Sequence, residues 1–237
     1  MIIVGHRGVA GHFPENTRSS IEAAIELGLN WVEVDIQSTK DNQLVICHDH
    51  TINRCSNGRG RIDHYTLEQL KQFDFGSWFD SKFANQSIMT LAELLTLANQ
   101  HDLNLNLEVK IDHHDPMQVC QLLDKQLKES NCSGESIILS SFNHDVIRCL
   151  HQIMPEYRLA VLCDRVTSKV ESLLKQVSAF SCNVNYKFLT SNKISRLQAE
   201  GYQVWSYTIN NPKSLRHIAN LDAIFSDHPQ RFLSLDS

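Results

Sequence analysis

Short runs of alternating or continuous apolar residues recur along this chain, and most are followed by a stretch with helical spacing. Ile2–Gly5 opens the series as a strand. Ile21, Ala24 and Ile25 then repeat at the three- and four-residue intervals of one helix face, with Asn16 the expected N-cap and Gly28 the stop. Trp31–Ile36 reads as a second strand, with Leu44–Cys47 a short strand near it. The rhythm lapses between Thr51 and Met89, which hold Gly58-Arg59-Gly60, a short helix near Thr66–Phe73 and the aromatic residues Phe73, Phe75, Trp78, Phe79 and Phe83. It resumes with the capping box Thr90-Leu91-Ala92-Glu93, a strand at Leu103–Val109, and the cap-then-proline pair Asp115-Pro116 opening another helix. Further strands are expected near 136–140, 158–162, 179–184, 202–208 and 223–226, with barely a helix after Pro229.

The main strands number eight. Repeated β-then-α units with right-handed crossovers favour an α/β fold of the (β/α)8 TIM barrel type over an open doubly wound sheet. The length of 237 residues suits one such barrel. We therefore expect one domain over 1–237 with an inserted cap segment over 51–89, too small for a core of its own.

Composition narrows the function. Hydrophobic residues make up 42% and charged residues 21%, which fits a chain that buries a sizeable core. A net charge of −5 without a Lys/Arg run argues against a nucleic-acid partner. The seven cysteines are odd in number and lack CxxC spacing, so they read as reduced thiols rather than a disulfide framework or a zinc ribbon. No stretch approaches the ~18 apolar residues of a membrane span, and Met1-Ile2-Ile3-Val4 runs straight into His6-Arg7-Gly8 without a leader pattern. A cytoplasmic protein is expected.

The chemistry lies at strand ends. In Val32-Glu33-Val34-Asp35-Ile36 alternation puts Glu33 and Asp35 on one face. In the strand at Leu103–Val109, Asn104, Asn106, Glu108 and the following Lys110 share a face opposite the leucines. An isolated E-x-D pair is usually solvated or salt-bridged. Two neighbouring barrel strands whose polar faces grow acidic toward their C-terminal ends instead aim Glu33, Asp35 and Glu108 at the barrel mouth. Three carboxylates in one low-dielectric place repel unless a cation lies between them, and hard oxygen donors suit Mg²⁺ or Ca²⁺ better than zinc. His6 and His48 each end a strand, as an acid and a base for phosphoryl transfer would. Arg7 offers a fork to phosphate oxygens and Lys110 a point charge. The remaining histidines, including His50, His101 and His113-His114, read as loop or surface groups.

With these residues in view the chain resembles the glycerophosphodiester phosphodiesterase family. The likeness runs through His6-Arg7-Gly8, Pro14-Glu15-Asn16-Thr17, Glu33-Val34-Asp35, Asp41, His48-Asp49, Leu107-Glu108-Val109-Lys110, Ser141-Phe142, Trp205 with Asn210, and Phe225-Ser226-Asp227-His228-Pro229. The resemblance implies a TIM barrel with an insertion after strand two. It also implies metal-dependent hydrolysis of glycerophosphodiesters to sn-glycerol 3-phosphate and an alcohol, in a cytosolic enzyme. His6 and His48 would be the acid/base pair, and Glu33, Asp35 and Glu108 would hold a divalent cation, Mg²⁺ or Ca²⁺ with Mn²⁺ also suitable. Arg7 and Lys110 would contact phosphate, Glu15 would support the site, and Phe142 and Trp205 would line the substrate pocket. The implied partner is this small-molecule substrate, and no pattern speaks to the oligomeric state. Met89 replaces a family proline, Trp205-Ser206 stands for the usual Trp-Thr pair, and Asn220-Leu221-Asp222-Ala223 replaces a glycine-bearing lead into strand eight. Two alternatives stand beside this expectation. One is a related barrel phosphodiesterase acting on lysophospholipids, whose apolar rim the aromatic residues from Phe73 to Phe83 would supply. The other is a non-catalytic ligand-binding barrel.

Overall fold

Eight parallel strands close on themselves in the computed structural model, which describes residues 1–130, 132–218 and 220–233. The last four residues of the domain expected over 1–237 thus lie outside the described residues. The barrel strands are β1 (Ile2–His6), β2 (Trp31–Ser38), β4 (Asn104–Val109), β5 (Ile137–Ser141), β6 (Arg158–Cys163), β7 (Ser181–Asn185), β8 (Gln203–Tyr207) and β9 (Ala223–Ser226). Each pairs with the next, and β1 pairs with both β2 and β9 to shut the ring. β3 (Leu44–Ile46) lies antiparallel on the far end of β2, outside the ring.

The helices α1 (Arg18–Glu26), α3 (Leu91–Gln100), α4 (Pro116–Glu129), α5 (His144–Ile153), α6 (Ser168–Gln176) and α7 (Ser191–Ala199) alternate with the strands. A short α2 (Leu67–Leu70) belongs to the segment after β3, and α8 (Gln230–Leu233) is a single turn, as the sequence after Pro229 led us to expect. Between β8 and β9 the connection is a 3₁₀ stretch, Pro212–His217. Thr90 and Glu93 make both hydrogen bonds of the expected capping box, and Asp115 caps α4 ahead of Pro116. Helix α1 departs from expectation: Thr17, not Asn16, is its N-cap. Among the described residues no helix is long and apolar enough to cross a membrane.

Alternation along the strands divides the core in two. Outward residues such as Val32, Val34, Leu105 and Leu107 join Leu94, Leu97, Ile147 and Leu150 in the layer between sheet and helices. Inward residues near the strand N-termini, among them Val4, Trp31, Trp205 and Phe225, plug the base of the barrel. Trp31 and Trp205 meet edge to face with ring centroids 5.3 Å apart, and the Arg158 guanidinium stacks 4.8 Å from the Phe180 centroid. Higher up the inward positions turn polar: Glu33, Asp35, Asn106, Glu108, Ser140 and Asn183 are all buried.

The segment after β3 gathers Val45, Cys47, Ile52, Ile62, Leu70, Phe75 and Ile88 into a small apolar cluster. Of its aromatic residues, Phe75 and Phe83 are buried and Phe73, Trp78 and Phe79 are half-buried. Phe73 and Phe75 pack with that cluster, and Phe83 meets Phe79 within the segment and Phe13 outside it.

Candidate active site

The turn after β1 sets the first functional groups. Arg7 lies in the left-handed region (φ 54°) and Gly8 follows at φ 87°. A Cβ on Gly8 would fall 2.5 Å from the Ser20 carbonyl oxygen, so only glycine lets this turn rest on the start of α1. The turn directs the Arg7 backbone N–H to Glu33 Oε2 at 3.2 Å and its carbonyl to the Asn16 N–H at 3.1 Å. Asn16, also left-handed at φ 58°, donates from Nδ2 to Asp35 Oδ2 at 2.9 Å. The residue expected to cap a helix instead holds the Asp35 carboxylate.

Register brings the acids together. His6 pairs with Glu33 across β1 and β2, and Asp35 with Glu108 across β2 and β4. One carboxylate oxygen from each of Glu33, Asp35 and Glu108 lies within 4.8 Å of the others. Arg7 Nε approaches Asp35 Oδ2 at 3.3 Å, and Lys110 Nζ approaches Asp35 Oδ1 at 3.3 Å and Glu108 Oε1 at 2.6 Å. Three acids thus face two permanent cations, and Glu33 Oε1 is buried without a hydrogen-bond partner among the described residues. Burial, reinforced by the Asp35 charge, lifts Glu108 to about 7 and Glu33 well above the usual carboxylate range. Burial opposes ionisation of Asp35 too, but Lys110 and Arg7 outweigh it and hold that carboxyl at about 2. Such a cluster takes up either protons or a cation, and its all-oxygen donor set fits a hard divalent ion.

Both imidazoles are anchored through Nδ1. His6 Nδ1 meets Asp227 Oδ1 at 2.6 Å, and Asp227 is itself held by Asn210, whose Nδ2 donates to its Oδ2 at 2.6 Å. His48 Nδ1 meets Asp49 Oδ1 at 2.7 Å. Each carboxylate favours the proton on Nδ1 and leaves Nε2 free for proton transfer. Burial, with Arg7 and Lys110 nearby, lowers the His48 pKa against the opposing pull of Asp35 and Asp49. Arg54, from the segment after β3, forks to Asp49 at 2.8 and 3.0 Å and to Glu15 at 2.7 and 2.8 Å. Glu15 also accepts from Arg7 Nη1 at 2.7 Å, so it stands behind Arg7 with both its oxygens engaged.

These groups open on one cavity of about 170 Å³, lined by His6, Arg7, Glu33, His48, Asn106, Glu108, Lys110, Ser140, Phe142, Leu162, Tyr207, Thr208 and Phe225. Asp35 lies just behind its wall. A wider groove of about 340 Å³ on the outside of the barrel has the Arg18–Glu22 and Lys71–Glu93 pairs in its walls, charges already matched. Asp63, His113 and His114 also cluster. There, however, Arg61 already forks onto Asp63, and His113 and His114 Nε2 lie 3.1 and 3.7 Å from the same Asp63 oxygen, so that carboxylate is already matched.

Residues 6–231 match the glycerophosphoryl diester phosphodiesterase family. The chain belongs to that family. Over 236 residues it is 30% identical to a glycerophosphodiester phosphodiesterase of Caldanaerobacter subterraneus, covering 99% of this chain and 97% of that protein. A Bacillus altitudinis glycerophosphodiester phosphodiesterase is 31% identical over 98% of this chain and 97% of its own length. Among solved structures, an Oleispira antarctica phosphodiesterase in complex with the product sn-glycerol-3-phosphate superposes with a TM-score of 0.94 at 30% identity, covering 100% of this chain and 97% of that one. The chain is accordingly an enzyme of the phosphodiesterase class.

Of the expected site residues in this family member, His6, Arg7, Glu33, His48, Glu108, Lys110 and Phe142 line the cavity. Trp205 does not. It is fully buried in the base of the barrel, its Nε1 donating to Gln203 at 2.8 Å. Inward positions on a strand recur every second residue, and the one at the mouth is Tyr207, followed by Thr208. The aromatic at the mouth is therefore Tyr207, two residues beyond Trp205. Sequence reasoning also missed Asp49, Asp227 and Arg54 as supporting groups. The adjacency of Asp49 to His48 was a signal for the first, and the Phe225-Ser226-Asp227-His228-Pro229 segment of the resemblance for the second; nothing local pointed to Arg54.

Proposed function

We propose that this chain hydrolyses glycerophosphodiesters to sn-glycerol 3-phosphate and an alcohol, with His6 and His48 as the proton-transfer pair and a divalent cation held by Glu33, Asp35 and Glu108. The observation that carries the reading is that two carboxylate-anchored imidazoles line one cavity with Arg7, Lys110 and the acids Glu33 and Glu108, on which Asp35 converges from behind the wall. The Oleispira relative, solved with sn-glycerol-3-phosphate, supports the same product class.

When bound, a Mg²⁺, Ca²⁺ or Mn²⁺ ion supplies Lewis-acid charge for the phosphate oxygens. The protein supplies the rest. Arg7 and Lys110 hold the phosphate. His48, kept neutral by its environment, takes the proton of the glycerol hydroxyl next to the phosphate as that oxygen attacks phosphorus in line. His6, oriented by Asp227, protonates the departing alkoxide. Water then opens the cyclic glycerophosphate with the histidine roles reversed. Glu15 acts by holding Arg7, and Phe142 and Tyr207 flank the leaving alcohol.

Soluble diesters are favoured over lysophospholipids because Phe75 and Phe83, which an apolar rim would need at the surface, are buried. Residues 51–89 act as a cap within a single domain, tied down by Arg54. The cytoplasm is the proposed location, supported by seven free thiols. The decisive experiment is a panel of Mg²⁺, Ca²⁺ and Mn²⁺ against several glycerophosphodiesters with a coupled sn-glycerol 3-phosphate readout. Turnover of none of them would overturn the proposal in favour of a binding barrel. Trapping of cyclic glycerophosphate tests the order of steps, and its complete absence would favour direct attack by water.

A further inference from the structure

Beneath the charged groups the cavity has a neutral polar floor that the reaction above does not use. Asn106 is 1% exposed, yet both its Nδ2 and its Oδ1 lack a partner among the described residues, and the Oγ of fully buried Ser140 lacks one too. Both side chains line the cavity. Asn106 lies one inward step below Glu108 on β4 and pairs in register with Glu33 on β2, while Ser140 pairs with Glu108 on β5.

These groups do not orient the acids. No hydrogen bond joins Asn106 or Ser140 to Glu33, Asp35 or Glu108, although all five residues are neighbours in the sheet. Buried polar groups of a folded protein are nearly always paired, so an amide and a hydroxyl left open onto a cavity mark a place for a ligand group. Their chemistry defines that group. A phosphate oxygen only accepts hydrogen bonds and a cation would use only Oδ1, whereas an amide offers N–H donors and a carbonyl acceptor side by side. The matching ligand group both donates and accepts, carries no charge and is small: an alcohol. Leu162 and Phe225 supply apolar wall beside it, suited to a short carbon chain.

We propose that Asn106 and Ser140 form the subsite for the terminal hydroxyl of the glycerol half, so that glycerol is bound floor-down and the leaving alcohol faces the rim. The inference rests on the cavity being the glycerophosphodiester site. It accounts for a contrast in depth, since Asn106 is 1% exposed and Phe142, at the rim, is 44% exposed. The glycerol half is read closely in the interior, and the alcohol half is met by a partly open aromatic wall that discriminates weakly.

The test compares sn-glycero-3-phosphoethanolamine with the propane-1,2-diol phosphodiester of matching configuration, which lacks only the terminal hydroxyl. Released ethanolamine, common to both, is the readout. A site built to bond a hydroxyl rejects the analogue lacking it, so wild-type kcat/KM is expected to favour the glycerol diester by at least about 10²-fold. Asn106→Leu and Ser140→Ala are each expected to shrink that ratio at least ~10-fold. An unchanged ratio, or equal losses on both substrates, would overturn the assignment. Ser140→Ala, which deletes one oxygen, decides the matter should Asn106→Leu fail to fold. Calorimetric binding of sn-glycerol 3-phosphate against propane-1,2-diol 1-phosphate by the metal-loaded protein asks the same question without turnover. Absence of hydrolysis with selective binding intact would count against the proposed reaction and leave the subsite standing; equal affinities would sink the subsite alone.

Discussion

Asp227 illustrates how much of this site depends on residues outside the cavity lining. It joins His6 across 221 residues of chain and is steadied by Asn210 from the β8–β9 connection. Asp227→Asn keeps the shape but allows the wrong imidazole tautomer, so kcat is expected to fall at least ~10-fold with an altered pH–rate profile. An unaltered profile would show that Asp227 serves packing instead. For the groups placed at the chemistry the expectation is larger: His6→Ala and Glu108→Gln should each cost at least ~10²-fold in turnover. Steady-state kinetics at saturating metal would check both, and near-normal turnover in either would remove that residue from the mechanism. Asn16 shows where reading one residue misleads. An asparagine just before a helix is a good cap by propensity, but Thr17 takes that role, which frees Asn16 to adopt φ 58° and bond Asp35.

Elements behaved as their periodicity implied, with one instructive exception. The polar face of β4 carries Asn106 and Glu108 inward, and the acidic pair of β2 lies beside it, Asp35 in register with Glu108. On β8 a period of two marks an inward face but not the height along it, because Trp205 and Tyr207 satisfy the same alternation. Only pairing with β7 and β9, Asn185 to Tyr207 and Ala223 to Trp205, assigns one to the mouth and the other to the base. The segment between β3 and α3 could be recognised by its broken rhythm, yet its link to the chemistry could not. Arg54 reaches from it to both Glu15 and Asp49. With Arg54→Met, Asp49 keeps only His48 as a charged partner, so the imidazolium is favoured and the His48 pKa rises. The acid limb of the kcat/KM profile is therefore expected to move to higher pH, and KM to rise as Arg7 loses its brace through Glu15. An acid limb that stays in place would show that the segment does not tune His48.

Across the whole molecule, the buried acids make stability depend on pH and metal together. Glu108 titrates at about 7 in the folded protein against an ordinary 4.5, and Glu33 is shifted in the same direction. Folding therefore favours the protonated acids: their contribution is complete below pH ~4.5 and is lost as pH climbs through about 7. Asp35, depressed to about 2, works the other way, but its contribution fades only in strong acid, outside this interval. Metal-free protein is expected to lose Tm between about pH 5 and pH 8, with a smaller loss for Glu108→Gln, and saturating Mg²⁺ or Ca²⁺ should offset the loss. Thermal scans of chelated and metal-loaded protein measure this. A chelated wild type and Glu108→Gln with the same pH dependence would refute it.

Local patterning was enough for the class of fold and for most of the site. Strand and helix periods are written in nearest neighbours, and a barrel strand's inward face follows from alternation alone, so the three acids, the two histidines, Arg7 and Lys110 could be nominated from the residues, and Phe142 from the family resemblance, before any coordinates. Height along the barrel axis, the open floor at Asn106 and Ser140, and the props Asp227 and Arg54 arise only when the ring closes. They depend on strand register and on contacts between residues far apart in sequence, and no periodicity within one segment carries that information.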